Sequence, residues 1–582
     1  MTKMSGAEIV AEMMVRLDVK FATGIPGHTV LDLVDALVDR QNSITTLLPR
    51  NEETAAFAAD AYFRVCHRPM VVIGHASVGA SNLLTGVANA GMDSSAMIVI
   101  TGETWTKAQG RGAYQELVRE RDAGTPDMFR GSVKRSWQVN RAEKLPETML
   151  KAYKLAVTGR PGPVHLDVTQ DAFAEQVDVT LPERVDRFLP LSRPRGDADA
   201  TKRAAELLLR AERPAILAGG GTILAEATDA LVELAELLRA PVGTTVMGKG
   251  AFPEDHALAA GITGWIGTAP GNKAMRECDV LLALGTRFTE TDTSGWTPGK
   301  PFNIPPTHLI QVDIDPNEIA RNYPVDVGIV GDVRSVLRDL ISDLRTRSSQ
   351  AGKRDGWLRE IEEAKVAWQE ETSALQASAS SPINPGRLAA ELRMALRRDA
   401  IVVCDLGNAQ KWIAQQFPAY GPRTVLNAMG GAAMGFGACG AVGAQLAAPD
   451  SQVVSWVGDG AMSMSLHVLP TVVEYDLPIL YVVANDNGYG AVKRPQDARF
   501  GGGRNLLTLF RRANGDPYRV DFAGVARALG MASARVDRAD EIAPTMRRAL
   551  AERRPFLLDV TTEMETYVPM SGGGAFPLPA RG

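Results

Sequence analysis

The sequence predicts an α/β protein made of three tandem, doubly wound parallel sheets. Short apolar segments, among them residues 70–73, 214–218 and 479–484, alternate with helical segments along the whole chain. This alternation is typical of βαβ units, which form parallel sheets with helices on both faces. The chain has 582 residues, which is too long for one hydrophobic core and favours about three domains.

Changes in composition divide the chain into three blocks and a tail. A Pro- and Arg-rich polar stretch around 189–199 and a charged, helical stretch from about 348 to 371 separate the regions of βα alternation. The expected domains are residues 1–185, residues 196–345 and residues 383–568, followed by a tail over residues 569–582.

Composition and charge describe an ordinary globular protein and exclude several classes. The hydrophobic content is 45%, and the formal net charge of −5 leaves no basic footprint for nucleic acid. The four cysteines are scattered without metal-ligand or disulfide spacing, which favours a reducing compartment. Charged residues interrupt the N-terminal segment, and no apolar run reaches membrane-spanning length. We therefore expect a cytoplasmic protein that binds neither nucleic acid nor membrane.

Two acidic residues follow consecutive predicted strands in the third block. Asp459, between two glycines, ends the strand over 453–457, and Asp486 ends the strand over 479–484, with a helix expected from about 465 to 475. Either motif alone is typical of a turn. Together they are more specific, because strand ends in a parallel sheet meet at one edge, where ligands bind. Carboxylates suit Mg²⁺, and glycines let backbone amides approach phosphate, so we expect a magnesium diphosphate site.

At these residues the chain resembles the thiamine diphosphate (ThDP) enzymes, whose signature is Gly-Asp-Gly followed by Asn-Asn some two dozen residues later. The resemblance implies that Mg²⁺ is bound by Asp459, Asp486 and the backbone oxygen of Gly488. Asp486 is a departure, because the family usually has Asn there. The resemblance further implies cofactor contacts at these neighbouring positions: Gly458, Gly460, Ala461 and Tyr489.

The first block resembles the acetolactate synthases among these enzymes. Residues 49–62, Pro-Arg-Asn-Glu-Glu-Thr-Ala-Ala-Phe-Ala-Ala-Asp-Ala-Tyr, are similar to their pattern R-H-E-Q-x-A-x-x-A-A-D-G-Y. This register implies that Glu52 is the carboxylate that hydrogen-bonds the cofactor's aminopyrimidine ring and promotes loss of the thiazolium C2 proton. Glu53 is the alternative if the register is shifted by one. On the residues alone, both are also first-turn acids that a helix dipole favours.

Further segments match the same family in order. Gly79 lies in a glycine loop over 77–83, and Gln115 lies in a segment whose glutamine reaches the active site. Gly407 and Asn408 belong to the loop on the diphosphate side. Met434, in the glycine-rich turn 430–437, would hold the two cofactor rings in their bent conformation, although a methionine is often core filling. Residues 568–574 resemble the family's C-terminal lid.

Several positions depart from acetolactate synthases. Thr291 stands where those enzymes have an arginine that faces the acceptor's carboxylate, and Pro495 stands where they have Trp. These differences weaken the case for FAD, so we do not favour it as a cofactor. Gly219, Gly220 and Gly221 also follow a strand, but the spacing of a dinucleotide fingerprint fails at Leu224. A plain βα turn and a flavin or nucleotide contact both remain open for them.

Two histidines and two cations are further candidates. His28 replaces a small residue in a loop that the family places at the cofactor, so it could exchange a proton with the substrate, although a lone histidine is often a surface residue. His75, just before the glycine loop, is the second candidate. Lys493 and Arg494 could steer an anionic substrate, and a solvated charged loop explains them equally well.

The resemblance implies a ThDP- and Mg²⁺-dependent enzyme that forms or cleaves a C–C bond beside a carbonyl. The leading version is an acetolactate synthase-like decarboxylase or carboligase acting on a 2-keto acid through ylid and enamine intermediates. One alternative is a lyase or hydrolase of an α-diketone or 2-hydroxyacyl compound. Another is a flavin-dependent oxidoreductase similar to pyruvate oxidase. The resemblance also implies a homodimer or homotetramer, in which the first block of one subunit binds the pyrimidine and the third block of another binds the diphosphate.

Overall fold

The computed structural model describes residues 2–117, 123–189, 192–347 and 354–571. Within these ranges it contains three six-stranded sheets and one two-stranded sheet. No helix in the described ranges is both long and apolar enough to cross a membrane. Residues 572–582 of the expected C-terminal tail, which include part of the expected lid, lie outside the described residues.

The first block forms a six-stranded parallel sheet in the order β3-β2-β4-β5-β7-β6 and a small antiparallel pair, β1-β8. Its strands are β1 Thr2–Ser5, β2 Phe21–Gly24, β3 Thr45–Leu47, β4 Val71–Gly74, β5 Ile98–Glu103, β6 Ser136–Val139, β7 Val164–Thr169 and β8 Gln176–Val179. Its helices are α1 Gly6–Arg16, α2 Leu31–Val38, α3 Glu52–Cys66, α4 Val78–Met92, α5 Thr125–Phe129, α6 Leu145–Val157 and α7 Gln170–Ala174.

The second block forms a parallel sheet in the order β11-β10-β9-β12-β13-β14. Its strands are β9 Pro214–Ala218, β10 Val242–Thr244, β11 Ala259–Ile262, β12 Val280–Leu284, β13 His308–Asp313 and β14 Val327–Val330. Its helices are α8 Ala198–Arg210, α9 Gly220–Leu224, α10 Thr228–Leu238, α11 Ala269–Glu277, α12 Glu290–Thr293 and α13 Val333–Thr346, and α14 Asp355–Gln376 connects it to the third block.

The third block forms a sheet in the order β16-β15-β17-β18-β20-β19. Its strands are β15 Ile401–Cys404, β16 Val425–Leu426, β17 Val453–Gly458, β18 Ile479–Asn485, β19 Ala532–Val536 and β20 Phe556–Thr561. Its helices are α15 Pro385–Ala395, α16 Asn408–Gln416, α17 Phe436–Ala447, α18 Asp459–Met464, α19 Val468–Glu474, α20 Gly490–Phe500, α21 Phe522–Ala528 and α22 Ala539–Glu552. The prediction of three doubly wound parallel sheets is confirmed.

The helix expected from about 465 to 475 is present as α19, over Val468–Glu474. A separate short helix, α18 over Asp459–Met464, precedes it, and residues 465–467 connect the two. Pro470 lies in the first turn of α19, where a proline is tolerated because its missing N–H would have no intrahelical partner.

The described residues form two compact units. The first unit contains the first block together with residues 428–450 and 464–479, and the second contains most of the second and third blocks. In the first unit α17 packs closely along α3, because small residues line the contact. A Cβ added at Gly443 would lie 1.8 Å from the carbonyl oxygen of Ala58, so no larger residue fits there.

The glycines of the second block have a packing role. A Cβ at Gly219 would lie 2.3 Å from the carbonyl oxygen of Gly285, and one at Gly221 would lie 2.7 Å from the Cα of Gly285. Two strand-end turns therefore approach each other through their backbones. This contact accounts for the glycines as a plain βα turn, and flavin binding remains a prediction that was not favoured.

Candidate functional site

The two predicted acidic ligands lie at the ends of neighbouring strands in the second unit. Asp459 directly follows β17, and Asp486 directly follows β18. The Asp459 carboxylate accepts backbone N–H bonds from Gly460 at 2.7 Å, from Asn487 at 2.6 Å and from Gly488 at 3.1 Å. These bonds fix the turn after β18 to the turn after β17, so the two motifs found in the sequence form one structure.

The surroundings of the acidic pair disfavour its ionised form. Burial, followed by the charge of Asp459, raises the pKa of Asp486 well above the ordinary aspartate range. Burial likewise raises the pKa of Asp459, and the three backbone hydrogen bonds it accepts, followed by the charge of Arg519, offset only part of this effect. Two buried carboxylates that ionise reluctantly are what a bound cation would stabilise.

Neighbouring polar groups fit a diphosphate with its metal. A Cβ at Gly490 would lie 2.6 Å from Asn408 Nδ2 and 3.3 Å from Asp486 Oδ2, so both groups border this glycine. The Asn408 Nδ2 amide is buried and has no hydrogen-bond acceptor in the described structure. Gly407, which precedes it, has a φ of 108°, a conformation that favours glycine. An oxyanion would satisfy the Asn408 donor.

The metal set fits Mg²⁺ by its donor chemistry. Two carboxylates and one backbone oxygen are hard ligands, and Mg²⁺ usually takes its remaining ligands from phosphate and water. No group of three or more His, Cys, Asp or Glu side chains that could hold a metal exists among the described residues. The predicted set of Asp459, Asp486 and the Gly488 carbonyl therefore requires ligands from outside the chain.

The remaining third-block predictions lie close to the acidic pair. Gly458 ends β17, and Gly460 and the buried Ala461 lie in the first turn of α18. A Cβ at Gly460 would lie 2.4 Å from the ring of Tyr489. The Tyr489 ring in turn packs edge-on against Phe510, with a centroid distance of 5.2 Å. Tyr489 thus contacts the glycine turn, and this packing explains its position without a cofactor contact.

Glu52 and Glu53 are distinguished by their environments in the first unit. Asn51 caps α3 by accepting a bond from the Glu53 backbone N–H at 2.8 Å, so α3 begins at Glu52. The Glu52 side chain is buried, and its Oε2 accepts a bond from Asn82 Nδ2 at 3.0 Å. Its Oε1 would lie 3.2 Å from a Cβ at Gly79. Glu53 is only half-buried, so the burial pattern favours the Glu52 register.

His75 and Gln115 meet beside the same glycine. The Cβ of His75 would lie 3.3 Å from a Cβ at Gly79. One ring nitrogen of His75, Nδ1, hydrogen-bonds Thr29 Oγ1 at 2.8 Å, and the other, Nε2, contacts the Gln115 side-chain oxygen. With the glutamine oxygen as acceptor, Nε2 carries the proton and Nδ1 accepts from the threonine. His75 is therefore fixed on both sides.

His28 completes this cluster at its exposed edge. Its ring centroid lies 4.6 Å from that of His75 and 5.4 Å from that of Tyr114. Partial burial, followed by the charge of His75, lowers the pKa of His28, so its imidazole is neutral near pH 7. Because no described residue hydrogen-bonds the His28 ring, it is the histidine of the cluster that remains available to another molecule.

The glycine-rich turn that bears Met434 is held by a buried charge network. Met434 itself is half-buried, and the Gly430 backbone N–H donates to Asp93 Oδ1 at 2.6 Å. The guanidinium of Arg64 bonds Asp93 at 2.9 Å and Asp60 at 2.7 Å and 3.0 Å, and it lies 4.6 Å from the ring centroid of Phe436. The network thus joins α3 and α4 to the turn.

Sequence reasoning missed four features of these sites. Asn82 and Thr29 orient Glu52 and His75, and Arg64 with Asp93 anchors the turn. Asn82 lies inside the glycine loop over 77–83 that the family resemblance already covered, but no pattern in one sequence indicates a side-chain partner. The roles of these residues depend on which helices pack together.

The architecture and the strand-end acidic pair define an α/β protein that binds its ligand at the carboxyl edge of a parallel sheet. Comparison with known families is specific. Residues 4–123 match the thiamine pyrophosphate enzyme N-terminal TPP-binding domain, residues 201–340 the central domain and residues 405–560 the C-terminal TPP-binding domain.

The similar proteins are large subunits of one enzyme. The chain is 36% identical to a probable acetolactate synthase large subunit of Methanocaldococcus jannaschii, covering 97% of this chain and 93% of the relative. It is 32% identical to the acetolactate synthase isozyme 3 large subunit of Escherichia coli, covering 99% and 98%. With the Corynebacterium glutamicum large subunit the identity is 32%, covering 98% and 89%.

The chain therefore belongs to the thiamine pyrophosphate enzymes and, within them, to the group of acetolactate synthase large subunits and their relatives. Its first and third blocks carry the two TPP-binding domains of the family. Thiamine diphosphate, which is the same compound, is accordingly its cofactor.

Proposed function

We propose that this protein is a ThDP- and Mg²⁺-dependent carboligase or decarboxylase that acts on a 2-keto acid, as acetolactate synthases do. The observation that carries the proposal is the buried pair Asp459 and Asp486, held at the edge of the TPP-binding domain by backbone hydrogen bonds. The described residues, Arg519 among them, offset the cost of ionising this buried pair only in part, so a cation would stabilise it. Asp459 and Asp486 would hold Mg²⁺, which prefers such oxygen ligands.

When bound, the cofactor supplies a carbanion equivalent that adds to the substrate carbonyl. The residues of the chain position the reacting groups and exchange protons with them. Asn82 holds one oxygen of Glu52, which leaves Oε1 beside Gly79 to exchange a proton with the cofactor's pyrimidine nitrogen. Burial of Glu52 excludes water from that exchange.

We further propose separate tasks for the two histidines. His75 is occupied at both ring nitrogens by Thr29 and Gln115, so it positions Gln115 and does not exchange protons freely. His28 is neutral near pH 7, and no described residue hydrogen-bonds its ring, so it can accept or donate a proton at the substrate oxygen. Met434, half-buried in the anchored turn, supports the cofactor's bent conformation.

The test is turnover of a panel of 2-keto acids and α-diketones with ThDP and Mg²⁺. We expect CO₂ release from a 2-keto acid, loss of that activity in Glu52→Gln, and retained activity in the matched variant Glu53→Gln. Product mass separates aldehyde release from carboligation. Cleavage of diketones without CO₂ release would replace the proposal by a lyase, and loss of activity only in Glu53→Gln would shift the catalytic register.

The proposed assembly is a cytoplasmic homodimer or homotetramer with its active sites at subunit interfaces. The likeness to large subunits of an oligomeric enzyme supports it, and so do the cysteines, which are free in the described structure. Light scattering of the purified protein gives the mass, and a monomer that retains full activity would contradict the proposal.

A further inference from the structure

Two cations in the second unit lie against aromatic rings without a counter-ion. Lys411, on α16, lies with its Nζ 5.0 Å from the ring centroid of Trp265. Arg494, on α20, lies with its Cζ 4.1 Å from the ring centroid of Tyr567. All four side chains are half-buried. Each ring covers one side of its cation.

The neighbouring Lys493, unlike Lys411 and Arg494, has carboxylate partners. Lys493 Nζ lies 2.9 Å from Asp497 and 2.8 Å from Glu565, so its charge is neutralised. Within the described ranges, no carboxylate lies within ion-pair distance of Lys411 or Arg494. The polar contact of Lys411 Nζ is a hydrogen bond of 3.3 Å to Asn408 Oδ1.

The two cations are close enough to affect each other. Burial, followed by the charge of Arg494, lowers the pKa of Lys411 to about 8. Placing like charges together in a half-buried setting is unfavourable unless an anion joins them. The Trp265 backbone N–H also donates to the Thr291 carbonyl at 2.9 Å. The residue whose ring contacts Lys411 is therefore bonded to position 291, where this chain has a threonine and not a cation.

We propose that Lys411 and Arg494 form a subsite for an anionic group on the substrate, remote from the reacting carbonyl. The substrate class is a carbonyl compound that bears a phosphate, sulfonate or second carboxylate. This inference rests on the proposed function, because it names a substrate of that same site. Arg offers a bidentate fork for an oxyanion and Lys a compact charge, so the pair suits a group with several oxygens.

The reaction balances without an external oxidant or reductant. The donor 2-keto acid loses its carboxylate as CO₂, and its acyl carbon forms a bond to the acceptor's carbonyl carbon. The acceptor's oxygen gains one proton and becomes a hydroxyl. The remote anionic group is not consumed, and it serves only to hold the acceptor in place.

The first experiment compares acceptors that differ by one phosphate group. With pyruvate as donor, glycolaldehyde phosphate should give at least about a tenfold higher kcat/KM than glycolaldehyde, the size expected for a charge-assisted contact. Lys411→Met and Arg494→Met should each remove most of that preference and leave the uncharged acceptor within about twofold. Lys411→Arg should restore part of it, and the control Lys493→Met should retain it.

Direct binding separates the subsite from the cofactor's diphosphate and from the reaction. Inorganic phosphate should change tryptophan fluorescence in the wild type through Trp265 and not in Lys411→Met. The ThDP dissociation constant should stay within about twofold in the same variant. A weakened ThDP affinity would assign the cations to the cofactor and overturn the inference, and so would equal rates with both acceptors. If no 2-keto acid is consumed, the proposed function fails, while the phosphate titration still decides the subsite.

Discussion

Replacing Arg64 with methionine should destabilise the first unit by about 3–5 kcal/mol, the usual cost of removing one partner from a buried ion pair. Arg64 is 9% exposed, and the side chains of its partners Asp60 and Asp93 are fully buried. Without the guanidinium, the two carboxylates retain only neutral donors, such as Asn89 Nδ2 at 2.8 Å from Asp60 and the Gly430 N–H. Burial already raises the pKa of Asp93 more than the charge of Arg64 lowers it.

Hydrogen exchange measured by mass spectrometry reports this loss locally. The slowest amides of α3 should exchange roughly a hundredfold to a thousandfold faster in Arg64→Met, because every 1.4 kcal/mol is a factor of ten. Peptides from α17 should follow, since α17 packs on α3 in the same unit. Peptides from β13 in the second unit should not change.

Two further variants give the expected contrast. Arg16→Met removes a partly exposed i,i+4 pair with Glu12 and should cost about 1 kcal/mol or less. The double variant Arg64→Met/Asp93→Asn removes one uncompensated charge and should recover part of the stability. An Arg64→Met protein whose α3 amides exchange as slowly as the wild type would refute the reasoning, because it would mean that the network contributes no net stability.

The remaining predictions concern the sites themselves. Gly79→Ala should reduce activity at least tenfold with little change in folding, because the added Cβ would lie 3.2 Å from Glu52 Oε1. Measurement of kcat tests the loss of activity, and circular dichroism tests the folding. Because burial and the charge of Asp459 raise the pKa of Asp486, Mg²⁺ must displace a proton, so its affinity should rise with pH through the neutral range. Asp486→Asn should flatten that rise in titration calorimetry, whereas the same slope in the variant would contradict it. By the same linkage the metal-free protein should lose stability as pH rises from about 4, seen as a lower Tm without Mg²⁺. Mixing inactive Glu52→Gln and Asp459→Asn subunits should restore roughly a quarter of the activity if each site uses two subunits, and none if it uses one.

The fold was predictable because its signals are local. Residues 214–218 and 479–484 alternate with helical segments as βαβ units require, and these strands form where expected. The convergence of Asp459 and Asp486 followed from strand order alone, since neighbouring parallel strands end at one edge. The helix expected from about 465 to 475 forms over Val468–Glu474, whereas the short α18 before it was not predicted, because the glycines around Asp459 indicated a turn.

The contacts between side chains could not be predicted from the sequence, for a different reason. Arg64 and Asp60, four residues apart on α3, indicate an ordinary helical pair. Their contact with Asp93 and the Gly430 turn depends on how α3, α4 and α17 pack, and such packing has no local pattern. Likewise, Lys411 belongs to a segment that the resemblance covered, but its exposure to Arg494 depends on two helices from different βα units.

The charge balance of a buried cluster distinguishes a cluster with a structural role from one that binds a ligand. Lys249, only 1% exposed, is satisfied by both carboxylate oxygens of Glu254 at 2.6 Å and 2.9 Å, so it needs nothing from outside.

The acidic pair and the cationic pair are not closed in this way. Asp459 with Asp486 leaves negative charge, and Lys411 with Arg494 leaves positive charge, both within the second unit. Since a folded chain keeps unbalanced buried charge at a cost in stability, each pair implies a ligand of the opposite sign. A cation at the first pair accounts for magnesium, and an anion at the second extends the substrate beyond a simple aldehyde or keto acid.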